Sequence, residues 1–276
     1  MMLKIASAAI AGAALIASPA LAQDAGDWTG FYVGGHLGYG FQPGDDDETI
    51  LFDTNLDGNY GDTVRTAAGA DAFSPGFCGG AANGPTPADG CDDDRDGIEG
   101  GIHAGFDYQM SGGFLIGVVA DYDRTRLRDS VSAFSTTPAR YTMTRRLRDV
   151  FTLRARAGYA SGRTLFYATG GLAYGNVRNS FSTSNTANSF TGNGNERGWG
   201  YAFGGGVERR LGGNFTVGVQ YLYRSIKADD YVVRAGPGTA GLTNPFRIVN
   251  PNGTDFARSG DRFNSSALQL TFSYRF

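Results

Sequence analysis

Leu268-Gln269-Leu270-Thr271-Phe272-Ser273-Tyr274-Arg275-Phe276 is the stretch whose reading decides the fold. Leu268, Leu270, Phe272, Tyr274 and Phe276 fall on one face of an extended chain, and Gln269, Thr271, Ser273 and Arg275 on the other. Period two is the mark of a β-strand. Phe114, Ile116, Val118, Ala120 and Tyr122 alternate in the same way, as do Trp199, Tyr201, Phe203 and Val207. Aromatics bracket the aliphatic positions, as they do where a strand crosses the two interfaces of a bilayer. A soluble sandwich also alternates, but it turns its apolar face inward and rarely ends that face in aromatics.

Eight such segments begin near Gly30, Ile98, Gly113, Arg146, Thr164, Gly198, Asn214 and Asn264. Three links are minimal: Ser111-Gly112-Gly113, Ser161-Gly162-Arg163 and Gly212-Gly213-Asn214. Four are long, over 42–96, 129–143, 179–197 and 227–262. Strict alternation of long and short links requires an even strand count with both termini on the short-turn side, the asymmetry of outer-membrane barrels. A closed barrel also satisfies every backbone polar group in lipid. The expectation is an all-β, eight-stranded, antiparallel up-and-down transmembrane β-barrel with one long acidic external loop.

Composition agrees. The 276 residues hold 43 Gly and 35 aromatics but only 4 Met, which argues against a coiled coil, a helical bundle or a disordered chain. A net charge of −3 gives no sign of nucleic-acid binding, and two Cys cannot build a disulfide scaffold or a structural zinc site. Past Trp28 no apolar run is long enough for a spanning helix. Residues 1–22 read as a secretory signal: Lys4, an apolar stretch from Ile5 to Ile16, then Ser18-Pro19-Ala20-Leu21-Ala22. Cleavage after Ala22 leaves the barrel domain 23–276, outside the reducing cytoplasm.

Asp27-Trp28-Thr29-Gly30-Phe31-Tyr32-Val33-Gly34-Gly35-His36-Leu37-Gly38-Tyr39-Gly40 resembles the opening strand of the alphaproteobacterial eight-stranded outer-membrane β-barrel family. That family is similar to OmpA-like barrels and opacity-type surface antigens. Ala168-Thr169-Gly170-Gly171-Leu172-Ala173-Tyr174-Gly175 resembles its fifth strand, and terminal Phe276 the signal read by the barrel-assembly machinery. The resemblance spans the mature chain except the first loop, whose length and acidity depart from the family pattern. It implies a place in the outer membrane of a Gram-negative bacterium; membrane lipid and lipopolysaccharide are the expected surroundings, and a monomer the expected state.

Carried around the barrel, the alternation turns Glu99, Asp107, Asp121, Asp123, Arg154, Arg156, Glu208, Arg210, Arg224 and Arg275 inward, together with His36, His103, Gln220 and Gln269. Buried charge of one sign is costly, so a paired network that plugs the lumen is expected. A gated narrow ion path is the other reading. Related lipid A deacylases place a Ser two residues after a His; here Gly38 and Gly105 stand at those positions, which points to structural histidines.

The first loop, 42–97, is the acidic one. From Gln42 to Glu99 there are 14 acids against Arg65 and Arg95, a net −12 that leaves about +9 for the rest of the chain. Cys78 and Cys91 lie within it and should pair. Asp53, Asn55 and Asp57, and again Asp92, Asp94 and Asp96, follow the D-x-[DN]-x-D-G spacing that offers alternate oxygens to calcium. The bidentate acid at position twelve is missing from both, so a solvated acidic loop is the competing reading. Past Tyr122, Arg124, Arg126 and Arg128 read as outward by parity, as do Arg145 and Arg178 on neighbouring strands. At that height they meet lipopolysaccharide phosphates, or else pair with Asp129 and Asp149 as a solvated strand end.

The function read from the sequence is a non-enzymatic, structural, surface-exposed protein that contributes to envelope integrity and surface interactions, its first loop a site for divalent cations. A small porin-like channel and a lipid A-modifying enzyme are the alternatives.

Overall fold

The computed structural model describes residues 27–42, 47–192, 194–228 and 231–276. The leader at 1–22 lies outside them. Eight antiparallel strands close into a cylinder: β1 (Gly30–Phe41), β2 (Gly97–Gln109), β3 (Phe114–Arg124), β4 (Ala139–Ser161), β5 (Thr164–Thr183), β6 (Glu196–Gly212), β7 (Phe215–Lys227) and β8 (Arg262–Arg275). Each pairs with its neighbours in sequence, and β1 with β8 closes the ring. Register is fixed by the alternation itself, since a one-residue slip would send every charge into lipid. Val33 thus sits opposite Tyr274, and Leu37 opposite Leu270.

The lipid face carries two aromatic belts. Phe31, Phe114, Tyr159 and Phe215 stand exposed near the short turns, and Tyr39, Tyr122, Phe151 and Trp199 near the other end. Val33, Ile102, Leu153 and Leu270 fill the zone between. The short turns need backbone that favours glycine: Gly162 has φ 55° and Gly213 φ 53°. At this end Trp28 is fully buried, its Nε1–H donating to the Gly162 carbonyl at 3.3 Å. With Leu115, Ala160, Leu165 and Tyr167 it forms an apolar floor.

The four long connections are not irregular loops. Ile50–Asp53, Ser189–Gly192, Val233–Gly236 and Thr254–Arg258, drawn from three of them, make a second four-stranded sheet. Arg128–Ser135 from the remaining one doubles back on β4 and pairs with Gly76–Gly79. Ile50, Phe52, Phe73, Val131, Tyr141, Val233, Phe246 and Phe256 pack into one core, so the external segments form a folded headpiece. β4 accordingly starts at Ala139, seven residues before the segment expected near Arg146. The polar, Gly-rich spacing of these segments hid short strands whose partners lie far away in sequence.

A bulge interrupts β4. Asn176 pairs with Asp149 and Val177 with Leu147, so Arg148 is an extra residue in β4. Below it the even-numbered residues of β4 face inward; above it the odd ones do, and Leu147, Arg145 and Met143 are buried.

Candidate functional site

The lumen is filled by ionised side chains in two tiers. In the tier near the short turns, Arg275 meets Asp107 at 2.5 Å and Arg156 meets Glu208 at 3.0 Å, with cross-contacts of 3.6–3.7 Å. Tyr32 accepts a hydrogen bond from Arg156 at 2.7 Å. Arg210 lies lower still, 5.3 Å over the Trp28 ring. In the upper tier Arg224 pairs with Glu99 and reaches Asp123 at 3.5 Å, while Arg154 holds Asp121 at 2.8 Å. Gln220 and Gln269 bridge these groups: Gln220 Nε2 donates to Gln269, which donates to Glu99. Above them Leu127, Leu147, Val150, Val177, Ile226 and Phe263 make an apolar layer across the barrel. The charged belt is thereby enclosed between an apolar floor and an apolar ceiling.

Both histidines sit in this belt. His36 Nε2 is 2.6 Å from Asp123 Oδ1, and His103 Nε2 is 2.8 Å from Ser273 Oγ. Their Nδ1 atoms face each other at 3.3 Å. Ser273, from the last strand, supplies the hydroxyl that the local spacing after each histidine lacks; only the closing of β8 on β1 reveals it. The cluster faces the lumen, away from lipid.

Arg145 corrects an expectation. It does not face lipopolysaccharide but is buried, bonded to Asp129 at 2.5 Å and Glu48 at 2.8 Å. The extra residue at Arg148 reversed the parity on which its outward placement rested. Arg258 binds the same two acids, which makes a four-member clamp between headpiece and barrel that the sequence did not disclose. Burial raises the Asp129 carboxyl, but Arg258 and Arg145 overcome this and hold it below the ordinary carboxylate range. Arg124, Arg126 and Arg178 are exposed, Arg128 is half-buried, and Arg146 takes the outward place on β4. Arg124 also lies 3.6 Å from Asp149.

In the first loop Cys78 and Cys91 are disulfide-bonded. The Asp53 carboxylate accepts backbone N–H bonds from Leu56, Asp57 and Gly58 at 2.6–3.2 Å. Asp57 is exposed, and a bond from the Asn59 N–H, with help from Asn55, holds its carboxyl below the ordinary value. Asp94 and Asp96 instead accept from Ser130 and Gln42, and Asp92 belongs to a two-residue strand paired with Ala81. The two half-motifs are therefore held by different elements.

An apolar, aromatic-girdled cylinder with an ionised interior and an ordered external crown defines an integral outer-membrane β-barrel. A family model described as the outer membrane protein beta-barrel domain matches residues 8–276, and the chain belongs to that family. It is 28% identical over 176 residues, 60% of this chain and 73% of the other, to the 31 kDa outer-membrane immunogenic protein of Brucella melitensis. It is 33% identical over 89 residues, 32% of this chain and 38% of the other, to a 22 kDa outer membrane protein of Rhizobium leguminosarum. Among solved structures it resembles OprG of Pseudomonas aeruginosa, with a TM-score of 0.45 and 13% identity over 91% of this chain and 99% of that one. The protein resides in the outer membrane.

Proposed function

We propose that this protein is a non-enzymatic structural scaffold that contributes to envelope integrity and displays a folded headpiece for surface interactions. The observation that carries the reading is the joint core of the headpiece. Segments from all four external connections bury aromatic side chains against one another, at about 1.5–3 kcal/mol for each large side chain. A barrel built to conduct needs a continuous aqueous path, whereas here paired charges lie between two apolar layers. Planar-bilayer recordings of the purified protein are expected to stay flat; steady single-channel steps would replace this reading with the porin-like one. Loss of the protein is expected to raise sensitivity of the cells to detergent, and unchanged sensitivity would remove the envelope role.

The exposed arginines above the belt support a second contact. Arg124, Arg126, Arg178 and Arg146 stand just beyond Tyr122 and Trp199, where guanidinium groups meet lipopolysaccharide phosphates.

A further inference from the structure

We propose that His36, His103 and Asp121 form a transition-metal site inside the barrel. One nitrogen from each imidazole and a carboxylate oxygen of Asp121 lie within 4.8 Å of one another, and all three residues are buried. The two Nδ1 atoms are 3.3 Å apart. Two nitrogens on a tetrahedral zinc at about 2.0–2.1 Å stand about 3.3–3.4 Å from each other, so the gap already has the width such an ion needs.

The outer contacts fit the same ligand. Metal-bound histidines donate their second ring N–H to an oxygen that fixes tautomer and orientation. His36 Nε2 has Asp123 at 2.6 Å and His103 Nε2 has Ser273 at 2.8 Å. With both Nε2–H groups donating outward, the two Nδ1 lone pairs point at each other across the gap. Two lone pairs at that distance repel, and a cation between them relieves the repulsion. Local charge runs the same way. Among the described residues of the upper tier, the three carboxylates Glu99, Asp121 and Asp123 have two guanidinium partners, Arg154 and Arg224, with His36 on Asp123, whereas in the lower tier Arg156 and Arg275 match Asp107 and Glu208 and Arg210 lies below them.

The backbone is shaped for the pair. His36 lies across from Gly101, and His103 across from Gly34. A Cβ on Gly101 would stand 2.7 Å from His36 Nε2, and one on Gly34 2.5 Å from His103 Nε2. The doubled Gly-x-His spacing, Gly34-Gly35-His36 and Gly101-Ile102-His103, thus lays each ring over a glycine of the other strand in an antiparallel register. Two imidazoles and a carboxylate suit zinc, cobalt, nickel or copper rather than calcium or magnesium. This inference is independent of the scaffold reading, because a metal-loaded barrel and a non-conducting one are separate measurements.

The test is to refold the mature protein into detergent micelles with zinc or cobalt, desalt, and count metal per chain. Refolding admits the ion although the belt is enclosed. One equivalent is expected to stay with the protein, and cobalt to show the intense visible bands of a four-coordinate ion. His36→Gln and His103→Gln should each abolish retention. Asp123→Asn, which keeps all three ligands but removes the carboxylate on His36 and one negative charge of the upper tier, should weaken binding about 10–100-fold. Heat-modifiable gel mobility checks that each variant has folded. Wild type that holds no more metal than the folded His36→Gln/His103→Gln double variant overturns the proposal, as does a proton shared between the rings in metal-treated protein.

Discussion

At Arg145 one side chain determines how the headpiece sits on the barrel. Its guanidinium binds Asp129 and Glu48, and its Nη1 also donates to the Gly260 carbonyl at 2.9 Å. Removing one partner from a buried ionic cluster leaves the others uncompensated, at about 3–5 kcal/mol. Arg145→Ala is therefore expected to make the external segments sensitive to protease while the barrel keeps its heat-modifiable mobility; an unchanged digestion rate would refute the clamp. The pH dependence arises from Asp129. Its folded-state value is depressed, so its contribution is present above the unfolded carboxylate range of about 4 and is lost as the pH falls further, through the lower folded value. Pepsin digestion across acidic pH should show the headpiece still resistant near pH 4 and opening only below it. Arg145 was legible in sequence as a cation but not as a buried one, because parity counting knows nothing of an inserted residue.

The strand is the scale at which that error arose. Period-two alternation located all eight barrel strands, since lipid on one side and a filled lumen on the other force each residue to one face or the other. It failed at Arg148, where β4 gains a residue and its upper half presents the opposite parity. Deleting Arg148 is expected to return Arg145 to the outer face and to expose Met143 and Leu147, with loss of headpiece protection from protease and retention of the barrel. The bulge also sets the composition of the basic ridge, in which Arg146 replaces Arg145. Changing Arg124, Arg126, Arg146 and Arg178 together to Gln should reduce the lipopolysaccharide that copurifies with the protein. Equal lipopolysaccharide content in the variant and wild type would end the phosphate reading. The Cys78–Cys91 link ties Gly76–Gly79, which pairs with Arg128–Ser135, to the two-residue strand Cys91–Asp92, which pairs with Ala81–Ala82. A loop of that size is stabilised by roughly 3 kcal/mol in the chain-entropy view. Reduction should thus speed proteolysis between the two cysteines and leave the rest of the headpiece intact, which mass mapping of the fragments would show.

Across the whole molecule, the sequence by itself determined the cylinder. Apolar residues must face lipid, every backbone polar group must pair within the sheet, and those two demands leave one closed antiparallel arrangement of eight alternating segments. It determined also that the interior is ionised, because the charges occupy the face opposite the aromatics. Tertiary structure alone decided which charges meet. Asp123, His36, His103 and Ser273 come from four strands spread over more than 230 residues, and nothing local in the chain brings them into one line. It alone decided that four polar connections share a core, since their short strands find partners only after the barrel has brought the strand ends together. Alternation is a property of neighbours along the chain and survives in sequence; contact across a lumen, or between loops, depends on closure and is written nowhere short of the fold.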